Sequence, residues 1–195
     1  MGLDSIELVM EVEKYFSISI PDSEAEKAYT IGKLVDCIAK IKGLDKYDFS
    51  LRNSTFSKLQ TEVSQICGES PTISLNDKIG KSLDISNKLL LTQLEYKLGL
   101  NLPGIKLPPV KNPRLFEKFK NWMNFNPVYD FTKITWKKYV DVILAHNLQT
   151  TVNPASILSK YEIYLVLMRL TVDKIGVDYF EIGIEKSFTD DLGVD

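Results

Sequence analysis

Both ends of this chain carry amphipathic helical patterns that have no apolar partner beside them in the sequence. The N-terminal pattern predicts one helix up to Phe16 and a second helix that begins after Thr30 and ends at Gly43. The first helix is assigned an apolar stripe of 3.6-residue period that includes Ile6, Leu8, Val9, Met10, Val12 and Phe16. Near the C-terminus, Ser159 and Glu162 have the spacing of a capping box and predict a third helix. Because two amphipathic helices alone bury too little apolar surface to be stable, the two ends are expected to pack on each other.

The charged residues follow the same division of the chain. The formal net charge is -2, from 24 basic and 26 acidic residues. Residues 1–43 and 159–195 together carry a net charge of -7, whereas residues 44–158 carry +5. The two ends therefore resemble each other electrostatically and differ from the centre.

The composition limits what this chain can be. A length of 195 residues with 44% hydrophobic residues suits one medium or two small folded domains. The sequence lacks an apolar run of about 18 residues, so no membrane span is expected. Cys37 and Cys67 are too few for a disulfide framework, which favours a reduced, cytoplasmic setting. The small net charge makes nucleic acid an unexpected partner.

The middle of the chain repeats patterns from the N-terminal segment. Leu98–Pro103 parallels Phe16–Pro21 at an offset of 82 residues, and Thr135–Ile143 parallels Thr30–Ile38 at an offset of 105. The difference of 23 residues measures an insertion near 104–130. Internal repetition of this kind predicts a second helical domain.

Taken together, the two ends resemble the acyl carrier protein family, with the pieces in reversed order. Glu7-Leu-Val-Met10 and Thr30-Ile-Gly-Lys-Leu-Val-Asp36 are similar to segments of helices II to IV of that family. Phe188-Thr-Asp-Asp-Leu-Gly-Val-Asp195, with the amphipathic helix before it, is similar to helix I and its following loop. This resemblance implies a circular permutation. It also implies an all-α fold class with two small acyl-carrier-like four-helix bundles, the first assembled from the N- and C-terminal segments.

The resemblance implies the following domains. Residues 1–43 plus 159–195 form an acyl-carrier-like domain, with helices II to IV followed by helix I. Residues 44–150 form a divergent carrier-like helical domain that contains the insertion, and 148–158 are a linker.

The family attaches 4'-phosphopantetheine to one serine of an Asp-Ser-Leu motif at the start of helix II. A helix N-terminus suits a phosphate because its free N–H groups and its dipole favour negative charge. When the family motif is aligned by counting back from Glu7, its serine corresponds to Gly2, its aspartate to Asp195 and its leucine to Leu3. The motif is therefore split across the two termini and lacks its serine. Ser5 is one candidate attachment site, and its simpler interpretation is a capping or first-turn serine.

A second candidate motif lies in the middle domain. Gly80-Lys-Ser-Leu-Asp84 resembles the family motif, with Lys81 in place of the usual aspartate. Ser82 is the better candidate for 4'-phosphopantetheine, and its alternative interpretation is an ordinary helix N-cap. A nucleotide-type phosphate loop is rejected because Leu75 stands where that motif requires glycine.

The predicted partner surface is acidic. Glu7, Glu11 and Glu13 give the helix II equivalent an exposed acidic side, which in the family meets basic patches on partner enzymes. A merely solvated face is the alternative. The partners implied are a phosphopantetheinyl transferase and acyl-processing enzymes, and interdomain or domain-swapped contacts are also considered.

The resemblance implies a carrier of thioester-linked acyl intermediates in fatty-acid or polyketide-type biosynthesis, rather than an enzyme. The alternative function is a non-carrying helical adaptor that keeps the fold for protein contacts. His146 is the only histidine and the cysteines do not cluster, so neither a metal site nor a catalytic triad is expected.

Overall fold

The computed structural model describes residues 3–67, 73–83, 87–103 and 133–193. In these ranges the regular structure is helical, apart from two isolated β-bridges. The expected all-α fold class is confirmed. The predicted insertion near 104–130 lies outside the described residues.

The described part of the chain contains α-helices in the following order. The α-helices are α1 (Leu3–Phe16), α2 (Asp22–Ala25), α3 (Ile31–Lys42), α4 (Ser50–Cys67), α5 (Lys88–Leu98), α6 (Trp136–His146), α7 (Leu148–Thr151) and α8 (Lys160–Ile175). Two single 3-10 turns are found at Ile79–Lys81 and Pro154–Ser156.

The chain divides into two compact units. The first unit contains residues 1–55 and 140–195, and the second contains residues 56–139. The division falls inside α4 and α6, so the first unit is larger than the predicted domain of 1–43 plus 159–195. The assignment of the units as permuted and divergent acyl-carrier-like domains stays a prediction.

Helix α8 is central to the first unit and packs against α1 and α3. Its buried residues cover most of its circumference and are Tyr161, Ile163, Tyr164, Leu165, Val166, Leu167, Met168, Leu170 and Thr171. The predicted capping box is confirmed, because the Ser159 hydroxyl accepts the N–H of Glu162 and the Glu162 carboxylate accepts the N–H of Ser159. Gly176 ends the helix in the left-handed conformation, with φ of 78°.

The buried face of α1 is narrower than the predicted stripe. Leu8, Val12 and Phe16 are at most 3% exposed and form a single row with four-residue spacing. Ile6 and Met10 are 45% and 62% exposed, so their assignment to the core was wrong. One row is enough for a helix that packs on α8 along one side, and the wider stripe included residues from the outer face.

The predicted ends of α3 are confirmed. The Thr30 hydroxyl caps the helix by accepting the N–H of Lys33 at 3.2 Å. Gly43 ends the helix with φ of 69°, a left-handed backbone conformation that residues other than glycine rarely adopt.

The loop after α8 pairs with the first turn of α3. The N–H of Ile31 donates to the carbonyl of Lys186 at 3.0 Å, and the N–H of Gly32 donates to the carbonyl of Ile184 at 2.8 Å. The first N–H groups of a helix have no partner within it. The C-terminal segment therefore supplies acceptors that α3 itself lacks, and we call these two bonds the closing hydrogen bonds.

The second unit contains the same pair of bonds. The N–H of Trp136 donates to the carbonyl of Asp77 at 3.0 Å, and the N–H of Lys137 donates to that of Leu75 at 2.7 Å. The donors of this second pair lie 105 residues after the donors of the first pair. The acceptors lie 109 residues before the acceptors of the first pair. The offset of 105 is the one seen in the sequence repeat.

A side-chain hydrogen bond is repeated as well. The Glu13 carboxylate accepts the N–H of Ile20 at 2.6 Å, and the Glu95 carboxylate accepts the N–H of Leu102 at 2.7 Å. These pairs stand 82 residues apart, which is the second offset of the sequence repeat. The repeated sequences thus adopt the same local structure.

A buried ion pair joins α4, α6 and α8 in the first unit. Arg52 donates from Nε to Oδ1 of Asp141 at 2.7 Å and from a second guanidinium nitrogen to Oδ2 at 3.0 Å. The Tyr161 hydroxyl donates to the same Oδ1 at 2.6 Å, and burial followed by the nearby Asp141 charge raises the pKa of this phenol. The guanidinium also lies 4.4 Å from the ring centre of Phe49. Both carboxylate oxygens are thus paired, which offsets the cost of their burial.

We expect Gly32→Ala to destabilise the first unit. A Cβ at this position would lie 2.8 Å from the backbone oxygen of Ile184, so the closing hydrogen bonds must shift. The expected loss is about 1 to 3 kcal/mol of unfolding free energy, measured by urea denaturation. The neighbouring exposed Lys33→Ala serves as control and should change it by less than about 0.5 kcal/mol. Equal effects of the two substitutions would contradict the close approach.

We expect Asp141→Asn to cost about 3 to 5 kcal/mol of unfolding free energy, because it leaves the Arg52 charge buried without its partner. Asp36→Asn is the matched control: its carboxylate pairs with Lys160 at 2.8 Å but is 57% exposed, and the expected loss is below about 1 kcal/mol. Urea denaturation of both variants checks the difference. A similar small loss in both would show that the buried pair contributes little.

Candidate functional site

The exposed face of α1 combines apolar and acidic side chains. Ile6 and Met10 lie one turn apart and are exposed, with exposed Glu7 beside them. The Glu11 carboxylate is partly buried and lies 3.4 Å from Nζ of Lys174 on α8. We call Ile6, Glu7, Met10 and Glu11 the α1 face. An apolar centre with a charged rim is typical of a protein-recognition surface.

Glu13 has a different role from its two predicted companions. Its carboxylate accepts the N–H of Ile20 and so holds the loop after α1. Glu13 thus has a structural role that the sequence did not indicate. The role of Glu7, Glu11 and Glu13 in partner binding stays a prediction.

The split motif is only partly within the described residues. Gly2 and Asp195 lie outside them, and α1 begins at Leu3. Ser5 lies in the first turn of α1 and is partly buried. The predicted meeting of Asp195 with Gly2 stays a prediction.

The loop that leads towards the C-terminus is held by Asp191. Its carboxylate accepts the N–H of Ser187 at 2.9 Å and pairs with Nζ of Lys186 at 3.0 Å. The backbone bond from Ser187, followed by the bond from Lys186, lowers the pKa of Asp191. Phe188 and Leu192 are buried and anchor the loop in the core. The residues before the split motif are therefore fixed in place.

Ser82 lies at the end of the 3-10 turn Ile79–Lys81 in the second unit. Its hydroxyl oxygen accepts the indole N–H of Trp136 at 3.0 Å, and the side chain is partly buried. The N-cap of α5 is Asn87, whose side chain accepts the N–H of Leu90 at 3.2 Å. The interpretation of Ser82 as the helix N-cap was therefore wrong, and its role as an attachment site stays a prediction.

The exposed positions Ile6 and Met10 were missed as candidate recognition residues. Their apolar character placed them in the predicted core stripe. Ile6 and Met10 have the same four-residue spacing as the buried row of Leu8, Val12 and Phe16, so the pattern alone did not separate the two faces.

Two kinds of site are not seen in the described part of the chain. No group of three or more His, Cys, Asp or Glu side chains there is arranged to hold a metal ion. None of the described helices combines the length and hydropathy that a membrane span requires.

Comparison with known proteins identifies relatives for part of this chain. It is 47% identical over 39 residues to an acyl carrier protein of Chlorobium phaeobacteroides, and to the same extent to one of Chlorobium phaeovibrioides. Each match covers 20% of this chain and 50% of the relative, so the chain spans about half the length of these curated relatives. No family model and no solved structure matches it. The similarity therefore supports an acyl-carrier-like region in a helical protein.

Proposed function

We propose that this protein carries or presents thioester-linked acyl intermediates on a 4'-phosphopantetheine arm, in fatty-acid or polyketide-type biosynthesis. The structural observation that carries the proposal is the α1 face. It presents apolar Ile6 and Met10 beside the carboxylates of Glu7 and Glu11 on a helix whose other side is packed in the core. The partial match to acyl carrier proteins supports the same conclusion.

The proposed partners are a phosphopantetheinyl transferase and acyl-processing enzymes with basic docking patches. Complementary charge speeds the encounter of two proteins and fixes their relative orientation. The apolar pair Ile6 and Met10 would then supply the buried centre of each contact. In this proposal the protein acts in the cytoplasm and catalyses no reaction itself.

Ser82 is the proposed attachment site among the described residues. Its hydroxyl oxygen would attack the phosphate next to pantetheine in coenzyme A, so that a phosphodiester to the serine forms, the pyrophosphate bond breaks and the adenosine bisphosphate part leaves. Opening of the hydrogen bond from Trp136 would free the oxygen for this attack. Lys81 is exposed next to it and offers a positive charge to that phosphate.

A non-carrying adaptor is the second candidate function. Two observations favour it: Gly2 stands where the family has its serine, and the Ser82 hydroxyl is already engaged with the Trp136 indole. An adaptor would use the α1 face for protein contacts without any loaded arm.

Incubation with a phosphopantetheinyl transferase and coenzyme A distinguishes the two functions. For a carrier we expect the intact mass of the full chain to rise by one phosphopantetheine arm. Omission of the transferase should abolish the gain. An unchanged mass, under conditions in which a known acyl carrier protein is fully modified, would contradict the carrier function and favour the adaptor.

The site assignment is tested separately with Ser82→Ala. We expect this variant to lose the mass gain, because the attacking hydroxyl is removed. Ser5→Ala, the other serine candidate, should be modified like the wild type. A Ser82→Ala variant that still gains the arm would show that another residue is modified.

A further inference from the structure

Helices α5 and α1 occupy equivalent positions in their units. Each contains a glutamate, Glu95 or Glu13, that accepts the N–H of the residue seven positions later. The offset of 82 between these bonds therefore pairs each residue of α5 with one of α1. The outward positions of the two helices can be compared directly in this register.

The outward positions of α5 differ in chemistry from those of α1. Four exposed residues follow the i, i+3, i+4, i+7 spacing of one helix face, and we call this set the α5 face: Leu89, Thr92, Gln93 and Tyr96. Leu89 is 70% exposed and Tyr96 is 90% exposed. Their counterparts in α1 are Glu7, Met10, Glu11 and Lys14. The two acidic positions of α1, Glu7 and Glu11, thus correspond to uncharged Leu89 and Gln93 in α5.

The net charges of the two units differ in the same way as the two helix faces: the first unit is acidic and the second is basic. The first unit holds 11 basic and 19 acidic residues, a net charge of -8, and the second holds 13 basic and 7 acidic residues, a net charge of +6. Lys88 is exposed beside Leu89, and Lys81 is exposed in the turn before the helix. The α5 face thus carries an apolar residue at one end and an aromatic residue at the other, separated by polar Thr92 and Gln93, with a basic edge beside Leu89.

We propose that the α5 face binds the α1 face of a second copy of this chain. Leu89 and Tyr96 would cover Ile6 and Met10, which are exposed apolar side chains one turn apart on one helix. The basic edge that includes Lys88 would meet the acidic rim that includes Glu7. The opposite net charges of the two units favour this pairing over contact between like units.

This contact has a consequence for the function proposed above. A second copy bound at the α1 face excludes partner enzymes from Ile6 and Met10 until it dissociates. Self-association does not itself require a phosphopantetheine arm, so its failure and the failure of the carrier function are distinguished by separate measurements.

Sedimentation velocity of the full chain tests the proposal. We expect the weight-average mass to rise with protein concentration, and the rise to weaken in 1 M salt, where charges are screened beyond about 3 Å. A wild-type chain that stays monomeric over the whole concentration range would overturn the proposal.

Truncation of the two large apolar side chains of the α5 face provides the first set of variants. Tyr96→Ala and Leu89→Ala should each weaken self-association, Tyr96→Ala by about tenfold because buried tyrosines commonly dominate an interface. Leu158→Ala is the matched control, since this leucine is 75% exposed in the first unit, outside both faces. Circular dichroism verifies that each variant is folded. Equal self-association in all three variants would overturn the proposal.

Charge-reversal variants test whether the α1 face of the second copy is the surface that binds the α5 face. Lys88→Glu and Glu7→Lys should each weaken self-association, and the double variant should restore it in part, because the two charges face each other with their signs exchanged. Lys58→Glu makes the same charge change at an exposed position of α4 and should have less effect. If the double variant self-associates more weakly than both single variants, the α1 face is not the surface that binds the α5 face.

Discussion

The first turn of α3 is the point on which the first unit depends. Ile31 and Gly32 donate their N–H groups to carbonyls of the C-terminal loop, more than 150 residues away in sequence. Joining such distant segments costs loop-closure entropy, although this cost grows slowly with length. Burial of α8 against α1 and α3 offsets it, and the closing hydrogen bonds fix the register of the loop. Gly32 allows the approach because a Cβ would collide with Ile184.

The same local structure is built twice, with different surfaces. Trp136 and Lys137 repeat the donors of the first unit, and Glu95 repeats the loop-holding carboxylate. Backbone bonds tolerate such changes of side chain because the N–H and carbonyl groups are common to all these residues. The outward positions of α1 and α5 are free of this constraint. They carry acids with exposed apolar residues in one helix, and a leucine and a tyrosine with a basic edge in the other.

Local signals in the sequence predicted the helix ends well. Thr30, Gly43 and Ser159 were each identified from residue type and spacing, and hydrogen bonds within four residues decide such caps. The all-α class was implied by the resemblance to acyl carrier proteins, and the periodic helical patterns agree with it. The offset of 105 was also visible, because the segment that supplies the donors of the closing hydrogen bonds, Thr30–Ile38, is similar in residue type to Thr135–Ile143.

Features that depend on tertiary packing could not be predicted in this way. Ile6 and Met10 have the same hydropathy as core residues, and only the position of α8 decides which side of α1 is covered. Arg52 and Asp141 are 89 residues apart, and no local pattern marks them as partners. The bond from the Trp136 indole to Ser82 spans 54 residues and was missed for the same reason.

Amide hydrogen exchange at Ile31 and Gly32 tests the central claim that the two chain ends form one unit. First-turn N–H groups of a helix normally exchange readily, since they lack partners within the helix. We predict that both amides, which donate to the carbonyls of Lys186 and Ile184, exchange as slowly as the core amides of α8. Both should become exchangeable in the same unfolding event as α8. Fast exchange at Ile31 and Gly32, while α8 stays protected, would contradict the account.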